Sequence, residues 1–318
     1  MAKKRRRKKP FATVVMISYN GEKLIDDAIN SLLKQTNREF EVVMLDDCST
    51  DSTPEKMRRA AERFENKGIR CRVYANKKNR GTGYSWNRAA SLAETEWVCF
   101  LADDDMYLPE RMESVKRFIQ ANPDVEWFYH DAVVLKESTG ERHIYITPIF
   151  NAGKRSMEVF FKNVLQNKFI FHNSVAIRKD VYESVGGIRD LRGVEDFDFW
   201  MRLIEKGHLP MKLRGPPLFI YRSRGLDSSK FPYVSYYGAF TQSINDFLDR
   251  NRGKKRVYEL AREFRIGVYI SYFLRCMRRG NLVLASKVLG GMVRKDFSAI
   301  QFLKMAVAKF FRIFKGEN

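Results

Sequence analysis

Apolar residues in the first hundred positions fall into short unbroken runs, and each run ends in small, polar or acidic residues. Phe11-Ala12-Thr13-Val14-Val15-Met16-Ile17 is followed by Ser18-Tyr19-Asn20-Gly21. Phe40-Glu41-Val42-Val43-Met44-Leu45 is followed by Asp46-Asp47. Ile69–Tyr74 precedes the small-residue loop Asn79-Arg80-Gly81-Thr82-Gly83, and Trp97-Val98-Cys99-Phe100-Leu101 leads through Ala102 into Asp103-Asp104-Asp105. Runs of this length, without polar alternation, predict strands buried on both faces. Between them, Leu24, Ile25, Ala28, Ile29, Leu32 and Leu33 recur at helical spacing. Ser49–Thr53 caps a second helix with Pro54 in its first turn, and a third covers Ser85–Ala93. Strand and helix therefore alternate four times, the signature of a parallel sheet made of right-handed βαβ units.

The pattern then loosens. Pro109 is expected to open a helix reaching Ala121, and Val125–Leu135 reads as one strand. Lys136–Gly140 turns it into a return strand, His143–Ile149, as a hairpin. A helix and a strand are expected between Met157 and Ile177, Gly186-Gly187 breaks the chain, and a helix runs from Gly193 through Ile204. Its acidic first turn suits the helix dipole. Pro216–Tyr221 is extended, and from Tyr236 onward Arg256–Arg279, Leu282–Val293 and Phe297–Phe314 carry apolar residues at helical spacing beside Lys and Arg. The fold class is α/β, a mixed, mainly parallel sheet flanked by helices with a C-terminal helical extension. The expected division is a basic disordered arm over 1–10, a catalytic domain over 11–235 and a basic amphipathic extension over 236–318.

Charge sharpens this division. The net charge is +20, of which +7 lies in residues 1–10 and +12 in 252–318, leaving +1 for the body between them. The four cysteines, Cys48, Cys71, Cys99 and Cys276, have neither metal-ligand nor disulfide-framework spacing, which fits a reducing cytoplasm. Phe11–Ile17 is too short for a signal-peptide core, and no apolar run approaches the roughly 18–20 residues that span a bilayer.

The acid triplet after the fourth strand is the main chemical feature. Three adjacent carboxylates repel one another, so either they are solvated in a turn or a cation sits among them. Ligands bind at the carboxyl ends of strands in open α/β sheets, and carboxylate oxygens suit Mg²⁺ or Mn²⁺ shared with substrate phosphates.

Val14–Asn20, Leu45-Asp46-Asp47-Cys48-Ser49-Thr50-Asp51, Asp103-Asp104-Asp105 and Glu195-Asp196, in this order and spacing, resemble the motifs of family 2 glycosyltransferases with the GT-A (Rossmann-like) fold. The resemblance covers Phe11 to about Arg224 and is closest to bacterial enzymes of spore-coat, capsule or cell-envelope polysaccharide synthesis. It implies transfer of a sugar, with inversion, from a nucleotide-sugar donor to a glycan or lipid-linked acceptor. Tyr19 would stack on the base and Asp47 accept its N3–H, which fits the uracil of UDP or the thymine of TDP. Asp46 would cap the following turn. Asp103 would reach the ribose and Asp104 would ligate Mn²⁺ or Mg²⁺, with Asp105 a second ligand or an orienting group. Asp196 would be the general base that a sugar hydroxyl requires, with Glu195 the second choice. Two positions depart from the family pattern: Ala102 stands where an acid is common, and Trp86 stands where an Arg often precedes the Asn matching Asn87.

The basic tails admit a solubilising arm, sequence-blind phosphate binding or, for the aromatic-basic C-terminal helices, an anionic membrane surface. A peripheral position on the cytoplasmic membrane face would suit a lipid-linked acceptor. A nucleic-acid-binding protein is disfavoured because the body is neutral and the candidate pocket acidic. A sugar-nucleotide nucleotidyltransferase would need a glycine-rich basic loop after the first strand, and Ser18-Tyr19-Asn20-Gly21 is not one.

Overall fold

The computed structural model describes residues 9–147, 159–160, 163, 170–191, 193–224, 233–278 and 280–296. The chain divides into two compact units, residues 1–231 and 232–318. In the first, β1 (Ala12–Ser18), β2 (Phe40–Asp46), β3 (Cys71–Ala75) and β4 (Trp97–Ala102) lie parallel in the order β4-β1-β2-β3. The connecting helices are α1 (Ile25–Leu33), α2 (Thr53–Asn66) and α3 (Thr82–Ser91). All of β2 and all of β4 but Ala102 are buried, which is why these strands read as unbroken apolar runs. Leu32 and Phe64 from the first two helices join Val14, Met44 and Leu101 in one core, fixing the strand ends where the acidic turns emerge.

Beyond β4 the sheet becomes mixed. β9 (Ala176–Arg178) pairs antiparallel with β4 and with β6 (Trp127–Tyr129), and β10 (Met211–Lys212) adds parallel to β6. A second sheet has the order β5 (Met106–Tyr107), β11 (Phe219–Ser223), β7 (Ala132–Lys136), β8 (Arg142–Tyr145). It lies beside the acid triplet because β5 begins immediately after it.

Several expectations need correction. The strand expected over Val125–Leu135 is two strands in different sheets, divided at His130-Asp131. Buried Asp131 accepts the Thr147 N–H at 2.7 Å and pairs with Lys212 at 2.7 Å, so the turn is held by partners far along the chain. The hairpin partner of β7 spans Arg142–Tyr145 rather than reaching Ile149, whose position lies outside the described residues. Pro109 does not open a helix: α4 starts at Arg111 and ends at Ala121, because the Pro109 carbonyl accepts the Thr36 N–H at 3.0 Å. A short helix, α5 (Lys179–Ser184), follows β9 without having been anticipated, and α6 begins at Glu195 and ends at Glu205.

The second unit contains α7 (Tyr233–Arg250), α8 (Lys255–Arg278) and α9 (Leu282–Asp296). Ile266, Ile270 and Cys276 pack with Ala285 and Val288, and the rings of Tyr237 and Tyr272 stack at 4.1 Å. Among the described residues no helix is long and apolar enough to cross a membrane. The expected helix at Phe297–Phe314, the arm at positions 1–8 and most of the stretch from Met157 to Phe169 lie outside the described residues.

Candidate active site

The carboxyl ends of β1, β2 and β4 converge, and their turns are stitched together. Asn20 takes a left-handed backbone (φ 52°), which Asn tolerates. Its N–H donates to Ser49 Oγ and its Oδ1 accepts the Thr50 N–H, both at 2.8 Å. The Gly21 N–H reaches Thr53 Oγ1 at 2.9 Å, and any side chain at Gly21 would run into the Asp103 carboxylate and the Ser18 hydroxyl. A side chain there would have to displace the bonded Ser18–Asp103 pair. Tyr19 is left 51% exposed at the rim, an available stacking face.

The two acids at the end of β2 do different work. Asp46 accepts the Ser49 N–H, capping the turn as expected. Asp47 is buried and holds the small-residue loop: Oδ1 accepts from Asn76 Nδ2 (2.6 Å) and the Arg80 N–H (2.9 Å), and Oδ2 accepts the Gly81 N–H (2.9 Å). Three of its roughly four lone-pair positions are thus engaged by protein, leaving about one for a ligand. The expectation of a base-binding carboxylate did not include this bracing role. The loop also packs on the far side of the site, since a Cβ at Gly83 would lie 3.0 Å from the Asp190 nitrogen and 3.1 Å from the Arg189 carbonyl carbon. Asn87 clamps that same segment, accepting the Ile188 N–H at 2.8 Å and donating to the Ile188 carbonyl at 2.7 Å. Beneath it, buried Asp198 pairs with both Arg189 and Arg202.

In the acid triplet each carboxylate has its own environment. Ser18 Oγ donates to Asp103, whose carboxyl is pushed up to about 6 by burial first and by the Asp104 charge. Asp105 is fully buried, takes the Arg222 N–H at 2.8 Å on one oxygen and Asn173 Nδ2 on the other, and is pushed up to about 7, again mainly by burial. Both of its oxygens face protein donors, the geometry of an orienting group rather than an open ligand. Asp104 is the more accessible acid, and Arg224 forms an ion pair with it. Among the described residues no three His, Cys, Asp or Glu side chains converge as a metal-binding group. The donor chemistry nevertheless fits a hard cation: adjacent carboxylate oxygens, with Asp103 and Asp105 each raised by burial and then by the charge of Asp104, which is partly open to solvent.

Glu195 and Asp196 open α6. Glu195 Oε2 accepts the Gly193 N–H at 2.7 Å, and burial with the Asp190 charge raises its carboxyl. Asp196 is raised to about 7 by burial and then by Glu195, and the nearby His172 backbone N–H draws it partly back. Neighbouring His172 and Asn173 therefore face the two acid groups, the His172 N–H acting on Asp196 through its field and the Asn173 amide bonding Asp105. Tyr221 on β11 lies within the field of Asp105, Asp104 and Asp196, which with burial raise its hydroxyl. The His172 ring is buried against Phe100, at 4.0 Å, and Trp86, at 4.9 Å, and burial lowers it to about 3, so it is a neutral structural ring.

Asn173, Tyr221, Arg222 and Arg224 were not singled out by sequence. The usable signals were faint: His172-Asn173-Ser174 interrupts an apolar stretch, and Arg222-Ser223-Arg224 places basic residues after an apolar strand.

The family model for glycosyl transferase family 2 matches residues 13–208. An uncharacterized glycosyltransferase of Haemophilus influenzae is 30% identical over 92% of this chain and 92% of its own. The chain belongs to glycosyl transferase family 2 and is a glycosyltransferase with the GT-A fold. Among solved structures it resembles residues 1–349 of Staphylococcus aureus TarS in complex with UDP-GlcNAc (TM-score 0.60, 19% identity, covering 82% of this chain and 80% of that one). It also resembles the mannosyltransferase PcManGT of Pyrobaculum calidifontis in complex with GDP-Man and Mn²⁺ (TM-score 0.59, 18% identity, covering 98% and 82%).

Proposed function

We propose that the protein transfers a sugar from a UDP-linked donor to a hydroxyl of a glycan or lipid-linked acceptor, with inversion, in cell-surface polysaccharide synthesis. The observation that supports this reading is the nearness of the two acid groups: Tyr221 lies in the field of Asp105, Asp104 and Asp196 together, and adjacent His172 and Asn173 face Asp196 and Asp105. Tyr19 stacks on the base, and the remaining acceptor position of Asp47 takes its N3–H. Asp103 receives the ribose. Asp104 would hold Mn²⁺ or Mg²⁺, with Asp105 as the orienting group, and Arg224 would give up that carboxylate to the cation. A cation held there would supply positive charge to the departing diphosphate. Asp196, raised to about 7, takes the acceptor proton as the hydroxyl attacks. A carboxyl tuned this close to neutral is a stronger base than an ordinary aspartate while still ionised in a large fraction of molecules. Residues 11–235 form the catalytic domain, and the basic residues 236–318 hold the protein peripherally on the anionic cytoplasmic face of a membrane.

TarS in complex with UDP-GlcNAc and PcManGT in complex with GDP-Man frame the test of the donor. Thermal shift with UDP, TDP, GDP and ADP, each with Mn²⁺ and with EDTA, is expected to show stabilisation by UDP that grows with Mn²⁺. TDP matching UDP would leave the choice of pyrimidine to a sugar-nucleotide panel. GDP stabilising more than UDP would overturn the base assignment, and equal UDP shifts in EDTA and Mn²⁺ would overturn the metal.

A further inference from the structure

The second unit ends its longest helix in an exposed apolar turn. Of the large hydrophobic side chains exposed among the described residues, three fall within seven positions: Met277 (44%), Leu282 (63%) and Val283 (69%). The turn is built, not frayed. Gly280 takes φ +68°, the Asn281 N–H donates to the Cys276 carbonyl at 3.0 Å, and Asn281 Oδ1 caps α9 by accepting the Leu284 N–H at 3.0 Å. Capping fixes Leu282 and Val283 in the first turn of α9, while Ala285 and Val288 face the core of the unit. The apolar pair therefore cannot fold inward without undoing the cap.

Charge selects what covers this tip. Between Glu263 and Asp296 the sequence has no acid, and Arg278 and Lys287 are exposed beside the apolar residues. A second copy pairing isologously would bring like charges together. The chain's own residues 297–318 carry four basic residues against one acid, so they too are of the wrong sign. A nucleic acid would match the cations but not three aliphatic side chains. An anionic lipid surface matches both: headgroup phosphates for the cations and the acyl boundary for the apolar residues.

We propose that the exposed Met277, Leu282 and Val283, at the facing ends of α8 and α9, enter the headgroup layer of an anionic membrane, flanked by Arg278 and Lys287. The inference rests on the peripheral-membrane reading above and names the element that makes the contact. The test uses the full chain and vesicles of phosphatidylcholine alone or with phosphatidylglycerol, by co-sedimentation at low and high salt. Wild type is expected to bind only the anionic vesicles and to be released by salt. The double variant Arg278→Gln/Lys287→Gln should bind about thirty-fold more weakly, the loss of two engaged cations. Leu282→Ser/Val283→Ser should lose on the order of tenfold or more, with an unchanged melting temperature because both residues are exposed. Leu282→Trp should show emission quenched by brominated lipid. Failure of wild type to bind anionic vesicles would sink the membrane reading and this inference together. Binding by wild type that neither double variant weakens would sink only the inference, leaving another element as the anchor. Displacement by millimolar inorganic phosphate, with the serine variant indifferent, would make this a phosphate site instead. Dimerisation that the serine variant abolishes would assign the turn to a second copy; both results overturn the proposal.

Discussion

Asp47→Asn separates the two jobs that the second acid of the Asp46-Asp47 pair combines. The amide keeps a carbonyl oxygen for Asn76 Nδ2 and the Arg80 N–H, which lie 2.6 and 2.9 Å from Oδ1. Its NH₂ group, however, then faces the Gly81 N–H, which donates to Oδ2 at 2.9 Å in the native loop. One charge-assisted hydrogen bond is lost, about 1.5–3 kcal/mol, and a backbone donor is left without its acceptor. Taking about 3 kcal/mol for the closed loop and 1.4 kcal/mol per decade, nucleotide affinity should fall about a hundredfold. Asp46→Asn is the control, because an amide carbonyl can still accept the Ser49 N–H, and it should change affinity by no more than about threefold. Isothermal titration with UDP and Mn²⁺, beside urea unfolding, reads both numbers. Asn76→Ala adds a discriminating arm. It leaves the Asp47 carboxylate intact but removes one of its braces, so it weakens binding if the loop matters and spares it if Asp47 acts only on the base. Asp47→Asn binding UDP within about threefold of wild type would refute the reasoning.

Asp196→Asn should retain UDP affinity and lose on the order of 10²–10⁴ in transfer rate. Wild-type transfer should rise with pH through about 7 as the carboxyl ionises. Loss in Glu195→Gln with full activity in Asp196→Asn would move the role to the neighbour. The metal-free protein should lose stability from about pH 4 to 7, because Asp105 stays protonated to about 7 when folded but releases its proton near 3.8 when unfolded. The ionised, buried group then costs about 4 kcal/mol. Melting curves should show Mn²⁺ restoring more stability at pH 8 than at pH 5, and Asp104→Asn should abolish that difference; a flat profile in EDTA would argue against the buried charge. Asp198→Asn should destabilise by about 3–5 kcal/mol in urea unfolding, since Arg189 and Arg202 both lose a buried carboxylate partner. A cost below about 1 kcal/mol would show the cluster to be solvated in solution.

The parallel half of the sheet was legible because burial on both faces leaves its strands no polar alternation, and because each strand ends abruptly in turn residues. The mixed half was not, for a reason visible at His130-Asp131. Tyr129 and Ala132 on either side are both fully buried, so hydropathy runs straight through a point where the chain changes sheets. What makes the break are contacts from distant residues: Arg111 Nε donating to His130 Nε2 at 3.0 Å, the Thr147 N–H and Lys212 on Asp131. None of these partners is near in sequence, so no local window contains the signal.

The same limit applies to the acids themselves. Strand-end position located Asp46, Asp47 and Asp103–Asp105 correctly, since all five stand where β2 and β4 give out. It could not divide the labour among them, because an aspartate's availability depends on which donors reach it. Asp105 is closed by Asn173 and the Arg222 backbone, Asp47 is mostly closed by the Asn76–Gly81 segment, and among the described residues the Asp104 carboxylate pairs with a side chain that can move away, Arg224. Fixed backbone donors make a carboxylate part of the frame, whereas a mobile guanidinium leaves it exchangeable. On that criterion Asp104 is the acid of the triplet best placed to change partners, and Asp105 the one held fixed by the frame.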